Sequence, residues 1–297
     1  MTAEALQRAT ERLASRLENA EGIDAIAERV HGVVTRLTRA SPRVRDALSG
    51  TGLSHPAHPA LVAGPLGCFT GALIADLSGE RAAARRLTGA GVLLAAPAAA
   101  TGLSDWTDTT GAERRIGFFH LAANVTTVAW YTASWSARRR QRHSLGIALG
   151  LAGALTATVG GWLGGHLTYA MGVGVDTTAF DGGPTEWTPL TRDKGNPLAG
   201  WVGDVPLVIV ERSGSIHVLA GRCTHRGGPL SEGTVEADCI VCPWHGSRFS
   251  FLDGSVRSGP AVAPQPCYEV RQTDDGLEVR RREARSLRVN PARAPST

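Results

Sequence analysis

Two short cysteine–histidine pairs constrain this chain of 297 residues more than any other feature. The first is Cys223 with His225, in the run Cys-Thr-His-Arg-Gly-Gly-Pro-Leu, and the second is Cys242 with His245, in Cys-Pro-Trp-His-Gly-Ser. Sixteen residues separate His225 from Cys242. Two thiolates and two neutral imidazoles form a four-ligand site for a borderline-soft metal centre, so the sequence predicts two neighbouring loops that share one centre.

Two kinds of metal centre suit this ligand set. Tetrahedral zinc binds two Cys and two His, and a Rieske [2Fe–2S] cluster uses His in place of Cys on one of its irons. The flanking residues favour the cluster, because backbone amides can approach the sulfides where small residues and turns follow the ligands. The residues that we expect to line the cofactor are Gly228, Pro229, Trp244, Gly246, Ser247 and, on a third loop, Pro260.

Residues 186–282 resemble the Rieske ferredoxin family. The motifs that carry the resemblance are C-T-H-R-G-G-P-L, C-P-W-H-G-S-R-F, D-G-S-V and a G-P-A loop. The resemblance implies an all-β sandwich in which Cys223 and Cys242 bind one iron, while His225 and His245 bind the other.

The same resemblance suggests the range of the reduction potential. High-potential Rieske proteins carry an extra Cys in each loop, which form a disulfide, and a Tyr after the second loop. Here those positions are Gly228, Trp244 and Phe249. We therefore expect a potential in the lower part of the Rieske range, nearer about −150 mV than +300 mV.

Four apolar stretches lie earlier in the chain, at residues 59–78, 87–104, 116–135 and 145–171. Each is about long enough to cross a bilayer, which takes roughly 17–25 residues, and Asp76 is the one carboxylate or strong base inside them. Their many Gly and Ala residues are typical of closely packed membrane helices. The sequence predicts four transmembrane helices, and the competing interpretation is a buried bundle of a soluble protein.

This half of the chain also resembles a family of bacterial four-helix membrane domains, domain of unknown function 2231. The matching residues are His58-Pro59, Pro65, Asp76, Gly164–Tyr169 and Gly172–Asp176. The resemblance implies a four-helix membrane architecture and does not indicate an activity.

The predicted fold is a multidomain membrane protein, with an N-terminal all-α four-helix transmembrane bundle and a C-terminal all-β Rieske sandwich. In the second domain, residues 206–211 with 215–220, and 268–272 with 277–280, are predicted hairpins. The predicted divisions are an amphipathic helical segment (1–54), the transmembrane domain (55–172), a linker (173–185), the Rieske domain (186–282) and a disordered tail (283–297).

His120 and His166 lie within the predicted bundle. Ionisable groups at membrane depth are costly and point to function. They could bind a haem b, line a quinone pocket, or simply join helices by hydrogen bonds. The sequence leaves all three open.

Charge and length limit the possible functions. The chain has 31 basic and 27 acidic residues and no basic run interleaved with aromatics, so we expect no nucleic-acid partner. The fifteen residues after Arg282 leave no room for the mononuclear iron site of an oxygenase, and no catalytic residue is predicted. The expected function is electron transfer by a membrane-anchored ferredoxin, with membrane lipid and a protein redox partner as its contacts.

Two alternatives remain: a membrane oxidoreductase whose bundle binds haem or quinone, and a redox sensor. The side of the membrane that carries the Rieske domain also stays open. Loops 79–86 and 136–144 contain seven arginines, against four on the opposite flanks. The positive-inside rule would place the seven in the cytoplasm, but the charged segment 1–54 would then have to cross the membrane.

Overall fold

The computed structural model of the chain describes residues 2–196 and 198–282. It divides into two compact units. The first contains the chain up to Val175 together with Ser258–Val262, and the second contains Asp176–Arg257 and the chain from Ala263. The predicted disordered tail, residues 283–297, lies outside the described residues.

The described part of the first unit is helical. A π-helical turn, His166–Ala170, follows its last α-helix. The α-helices are α1 (Ala3–Glu18), α2 (Asp24–Thr38), α3 (Pro42–Ser49), α4 (Ala57–Leu77), α5 (Arg81–Trp106), α6 (Gly111–Arg139) and α7 (His143–Gly165).

Local sequence signals explain several of the helix ends. The Ser41 hydroxyl accepts a hydrogen bond from the Val44 amide, and Pro42 occupies the first turn of α3, where its missing N–H costs nothing. Thr110 and Glu113 form a capping box at the start of α6, which satisfies amides that have no partner inside the helix.

The predicted count of four membrane spans is matched in part. Among the described residues, three helices are long and apolar enough to cross a membrane by length and composition: α4, α5, and α7 with the π-helical turn. The remaining long helix, α6, falls outside this set because His120, Asn124 and several threonines interrupt its apolar run. The four long helices that we expected are present. One of them, α6, is less apolar than a typical membrane-spanning helix.

Helices α1 to α3 pack against the end of the bundle where α5 connects to α6. Arg115 donates two hydrogen bonds of 2.7 Å to the carboxylate of Asp24, and Arg114 pairs with Glu28. Asp108, which is 5% exposed, accepts hydrogen bonds from Arg39 and Arg45. The amphipathic N-terminal segment is therefore attached to the bundle through charged groups on the α5–α6 connection.

The second unit contains two antiparallel sheets. The order in the larger sheet is β1-β11-β10-β5-β4-β3-β2, and in the smaller sheet β6-β7-β8-β9. The strands are β1 (Thr188–Pro189), β2 (Thr191–Arg192), β3 (Ala199–Val202), β4 (Val205–Arg212), β5 (Ser215–Ala220), β6 (Thr234–Glu236), β7 (Cys239–Val241), β8 (Arg248–Ser250), β9 (Val256–Ser258), β10 (Cys267–Thr273) and β11 (Gly276–Arg281).

Both predicted hairpins are confirmed. Strand β4 pairs with β5, with Arg212 opposite Ser215 at the turn, and β10 pairs with β11, with Thr273 opposite Gly276. Alternate residues of these strands face one apolar core. The buried members of that core are Leu190, Val202, Leu207, Ile209, Val218, Ala220, Tyr268 and Val279. The larger sheet is thus a rigid support for the loop that follows β5.

Candidate metal centre

The two cysteine–histidine pairs lie on loops that close with the same backbone hydrogen bonds. In the first loop, the Gly227 amide donates to the Cys223 carbonyl (2.7 Å), and the Cys223 amide donates to the Gly228 carbonyl (2.8 Å). Gly227 has a φ of +73°, a left-handed conformation that glycine adopts without the steric cost of a Cβ.

The second loop, between β7 and β8, repeats this arrangement. The Gly246 amide donates to the Cys242 carbonyl (3.0 Å), and the Cys242 amide donates to the Ser247 carbonyl (2.8 Å). Gly246 has a φ of +72°. The repeated geometry explains why each loop presents one thiol and one imidazole in a similar arrangement.

The structure brings the two predicted imidazole ligands together and buries the two predicted thiols. Cys223 and Cys242 are 1% and 3% exposed. The rings of His225 and His245 have centroids 5.1 Å apart and are nearly perpendicular, at 87°. Both rings are half-buried. The two thiols are therefore buried, and the two imidazoles are partly accessible to solvent.

The two thiols shift each other's pKa in opposite directions. The neighbouring Cys223 thiol lowers the pKa of Cys242 to about 6, with additional help from the amides of Trp244 and His245. The neighbouring Cys242 thiol, together with burial, raises the pKa of Cys223. Because metals bind cysteine as thiolate, a cationic metal centre would favour deprotonation of both thiols.

Among the predicted lining residues, Gly228 and Trp244 pack directly against the pair. A Cβ on Gly228 would lie 2.9 Å from Cys242 Sγ and 3.1 Å from the Trp244 indole. Ser247 is fully buried, and Pro229 is half-buried and forms an isolated bridge with Arg222. Pro260 is buried and belongs to the segment that groups with the first unit, so its place beside the cofactor stays a prediction.

Gln265, which sequence reasoning missed, supports the first loop. This side chain is 2% exposed. Its Oε1 accepts a hydrogen bond from the Thr224 amide (3.2 Å), and its Nε2 donates to the carbonyls of Ala220 (2.7 Å) and Arg222 (2.5 Å). The Thr224 hydroxyl adds a bond to the Ala263 carbonyl (2.8 Å). No metal-ligand spacing marks Gln265, because its role is to hold the loop backbone.

The predicted membrane histidines have different partners. His120 Nδ1 lies 2.8 Å from the Gly160 carbonyl oxygen, and its Nε2 lies 3.1 Å from Asn124 Nδ2. His166 Nε2 lies 2.7 Å from Glu18 Oε1, and its ring stacks on Trp162. These contacts match the hydrogen-bonding role that the sequence left open, and they connect His166 to the N-terminal helices.

Two families of known proteins match the chain in consecutive regions. Residues 189–269 match the Rieske [2Fe–2S] domain, and residues 54–177 match a predicted membrane protein family, DUF2231. The Rieske match encloses both cysteine–histidine loops, and a Rieske domain implies a [2Fe–2S] cluster.

Two curated ferredoxins agree with this assignment. Ferredoxin CarAc of Metapseudomonas resinovorans is 36% identical over 78 residues, which are 26% of this chain and 73% of that protein. The anthranilate 1,2-dioxygenase ferredoxin subunit of Burkholderia cepacia is 30% identical over 100 residues, or 32% of this chain and 91% of that subunit. Among solved structures, the ferredoxin of carbazole 1,9a-dioxygenase from Nocardioides aromaticivorans IC177 aligns with a TM-score of 0.29 and 23% identity, over 33% of this chain and 99% of that one.

The relatives, the family match and the geometry of the two loops agree on one assignment. The protein has a Rieske ferredoxin-like electron-transfer domain joined to a predicted membrane domain, and the chain belongs to the Rieske [2Fe–2S] family.

Proposed function

We propose that the protein is a membrane-anchored electron carrier, in which Cys223 and Cys242 bind one iron of the cluster while His225 and His245 bind the other. The observation that carries this proposal is the asymmetry of the ligand set: two buried thiols and two half-buried imidazoles. The thiol side of the cluster is then shielded from solvent. The imidazole side, here called the open side, is accessible to solvent.

When bound, the cluster accepts and returns one electron at a time. The chain supplies the environment for that step. Both cysteines are buried, and backbone hydrogen bonds close the loops that carry them. The thiol side of the cluster is therefore shielded from water. Both imidazoles are neutral ligands, which removes negative charge relative to an all-cysteine cluster and raises its potential. The half-exposed edges of the two rings are the route by which an electron enters or leaves.

A protein redox partner is expected to dock on this open side. Trp244 is 56% exposed, and its ring centroid lies 6.3 Å from that of His245. Large exposed aromatic side chains are frequent anchors of protein interfaces. A similar ferredoxin is named as a subunit of anthranilate 1,2-dioxygenase, which supports an oxygenase component as the class of acceptor.

Replacement of a ligand tests the assignment. We expect His245→Ala and Cys242→Ser to remove iron and acid-labile sulfide from the purified full-length protein, because each leaves the cluster with three ligands. His217→Ala is the matched control: His217 is on β5, where its ring packs on Phe251 at 5.1 Å. Unchanged iron and sulfide in either ligand variant would contradict the proposal, and so would zinc without sulfide in the unmodified protein.

A second variant tests the docking face. Trp244→Ala should retain the cluster and slow electron transfer to the oxygenase component of a dioxygenase, because it removes an exposed anchor without removing a ligand. Trp201→Ala, on strand β3 and 37% exposed, is the control. Equal transfer rates in the two variants would argue against a partner at Trp244.

We also propose that all four long helices cross the membrane, with α6 as the polar member. Two of its polar residues contact α7: His120 lies against the Gly160 carbonyl, and the Thr127 hydroxyl donates to Thr156 (2.9 Å). A helix whose polar groups are satisfied by its neighbours can lie in a bilayer despite its composition.

A further inference from the structure

Helices α1 and α2 each have two apolar faces. One face packs on the helices of the bundle and contains Ala14 of α1 with Ala27 and Val34 of α2, which are all buried. The other face is turned away from the bundle, and its large side chains are between 48% and 70% exposed. These side chains are Leu6, Leu13, Ile26, Val33 and Leu37. A surface helix needs one apolar face to pack on its own domain, so the second face is available to a partner.

The exposed residues form a stripe along each helix. Leu6 and Leu13 of α1 are seven positions apart, and Val33 and Leu37 of α2 follow Ile26 by seven and eleven positions. Because seven and eleven residues complete about two and three helical turns, the members of each stripe lie on one side of their helix. Single exposed apolar residues are ordinary on a protein surface, whereas an aligned stripe indicates an interaction surface.

Unpaired arginines border both stripes. In three places an arginine follows a stripe residue by three positions, which makes the two side chains neighbours on the helix surface. These arginines are Arg16, Arg29 and Arg36, after Leu13, Ile26 and Val33. All three are exposed, and in the described part of the chain none of them pairs with a carboxylate, whereas Arg8 pairs with Glu4. Their charges are therefore available to an anionic partner.

The attachment of α1 places it at one end of the long helices. Glu18, the last residue of α1, accepts a hydrogen bond from Arg115 at its carbonyl (2.8 Å), and its Oε1 lies 2.7 Å from His166 Nε2 after the end of α7. Tyr169, three residues further on, is 90% exposed, and tyrosine is enriched where membrane helices reach the lipid head groups. Given the four proposed membrane spans, α1 and α2 lie near this head-group level.

We infer that α1 and α2 are interfacial helices that bind anionic phospholipids of the bilayer in which the bundle lies. A lipid surface presents phosphate groups directly above acyl chains, which matches cations that border apolar side chains. The two stripes enter the boundary between head groups and acyl chains, and Arg16, Arg29 and Arg36 contact the phosphates. The inference rests on the membrane location in the proposed function and assigns a lipid class to the N-terminal segment.

Photo-cross-linking of the full-length protein tests this surface. The photoreactive amino acid p-benzoylphenylalanine is placed singly at Leu13, Val33, Glu11 or Leu155, and each protein is reconstituted in nanodiscs of equimolar phosphatidylcholine and phosphatidylglycerol. Glu11 is the matched control, because it is exposed and lies two positions from Leu13, on the opposite side of α1. Leu155, on α7 and 73% exposed, reports whether the bundle itself lies in lipid.

We expect lipid adducts at Leu13, Val33 and Leu155, and none at Glu11. At Leu13 and Val33, phosphatidylglycerol should exceed phosphatidylcholine by about fivefold, which corresponds to the contribution of roughly one arginine near an anionic surface. Mass spectrometry of the labelled peptides measures both results.

The arginines are tested by a variant that combines Arg16→Gln, Arg29→Gln and Arg36→Gln. This variant should lose the phosphatidylglycerol excess at Leu13, because its cations no longer select the head group, and should keep its adducts at Leu155. Iron and acid-labile sulfide in each protein show that it has folded with its cluster.

Separate outcomes distinguish failure of this inference from failure of the proposed function. Lipid adducts at Leu155 without adducts at Leu13 and Val33 overturn the inference and leave the proposed membrane bundle standing, whereas no lipid adducts at any position overturn both. Adducts of Leu13 or Val33 with a second copy of the chain overturn it too, as does a phosphatidylglycerol excess that survives loss of the three arginines. Adducts at Leu13 and Val33 in a protein that binds no iron and sulfide would instead overturn the proposed electron transfer and leave this surface standing.

Discussion

The reduction potential of a Rieske cluster depends on single residues beside its sulfurs. Phe249 is completely buried and has no hydroxyl to donate, and the cysteines that the structure describes form no disulfide between the two loops. We expect a midpoint potential nearer about −150 mV than +300 mV. A redox titration of the visible spectrum measures it, and a midpoint well above zero would contradict this account.

Gln265 is the residue outside the motif with the largest expected effect on the site. Gln265→Leu keeps the volume but removes two hydrogen bonds to the backbone of the first loop and one to the last residue of β5. Buried groups left without partners cost free energy, so we expect the unfolding free energy of the Rieske domain to fall by about 2–3 kcal/mol. Thermal loss of the visible cluster absorbance measures the effect.

Gln272→Leu is the control for that substitution, because Gln272 lies on β10 with its side chain exposed. It should change stability little. If both variants lose the cluster at the same temperature, Gln265 does not support the loop.

The cluster ligands and Gln265 differ in how far along the chain their partners lie. Each cysteine lies two or three residues from its histidine, so local geometry was enough to predict the four ligands, which lie on two loops of matching geometry. Gln265 is 41 residues from Thr224 and 45 from Ala220. Its role depends on how β10 packs beside β5, and a single sequence contains no local record of that packing.

Between the two loops, the contact of Gly228 with Cys242 leaves no room for a larger side chain at position 228. In Gly228→Ala, the new methyl group would meet Cys242 Sγ at 2.9 Å. The loops must then separate, and we expect lower cluster occupancy, measured as iron and sulfide per chain. Gly182→Ala is the control, since a Cβ there meets nothing within 4 Å. Full occupancy in Gly228→Ala would show that the loops tolerate the wider spacing.

The attachment of α2 and α3 to the bundle depends on Asp108. Asp108→Asn removes the charge that binds both Arg39 and Arg45. This carboxylate is buried, whereas Arg39 is partly solvated. We therefore expect the free energy of unfolding to fall by about 2–3 kcal/mol, which is less than for a fully buried pair. Thermal unfolding in detergent, followed by tryptophan fluorescence, measures it.

Glu4→Gln is the matched control, because the Glu4–Arg8 pair is highly exposed and such pairs contribute little. A similar melting temperature for both variants would contradict the proposed role of Asp108. The sequence shows that the residues of this attachment are charged. It does not show which of them pair, because the partners lie more than 60 positions apart.

The number of membrane crossings is a property of the whole molecule. If α6 spans the membrane, reporter fusions placed after Asp108 and after Gln141 should lie on opposite sides, because α6 separates them. If only the three helices of spanning composition cross, both fusions lie on the same side. Paired phosphatase and fluorescent-protein fusions distinguish the two, and equal signals at the two sites would contradict four spans.

Hydropathy predicted the positions of the four long helices because each stretch is long and nearly free of charged residues. It did not predict which helices exchange contacts. Those contacts became visible only in the structure, as between Asp76 and Arg138 or Phe69 and Tyr131, since the partners lie 62 positions apart along the chain.

The central claim is that the two cysteine–histidine loops bind one [2Fe–2S] cluster with mixed ligation. Electron paramagnetic resonance of the dithionite-reduced, full-length protein tests it most directly. We predict a reduced-cluster signal with the low average g-value of a cluster in which imidazole replaces thiolate on one iron. An all-cysteine type of signal, or a silent sample that contains one zinc and no sulfide, would contradict the account.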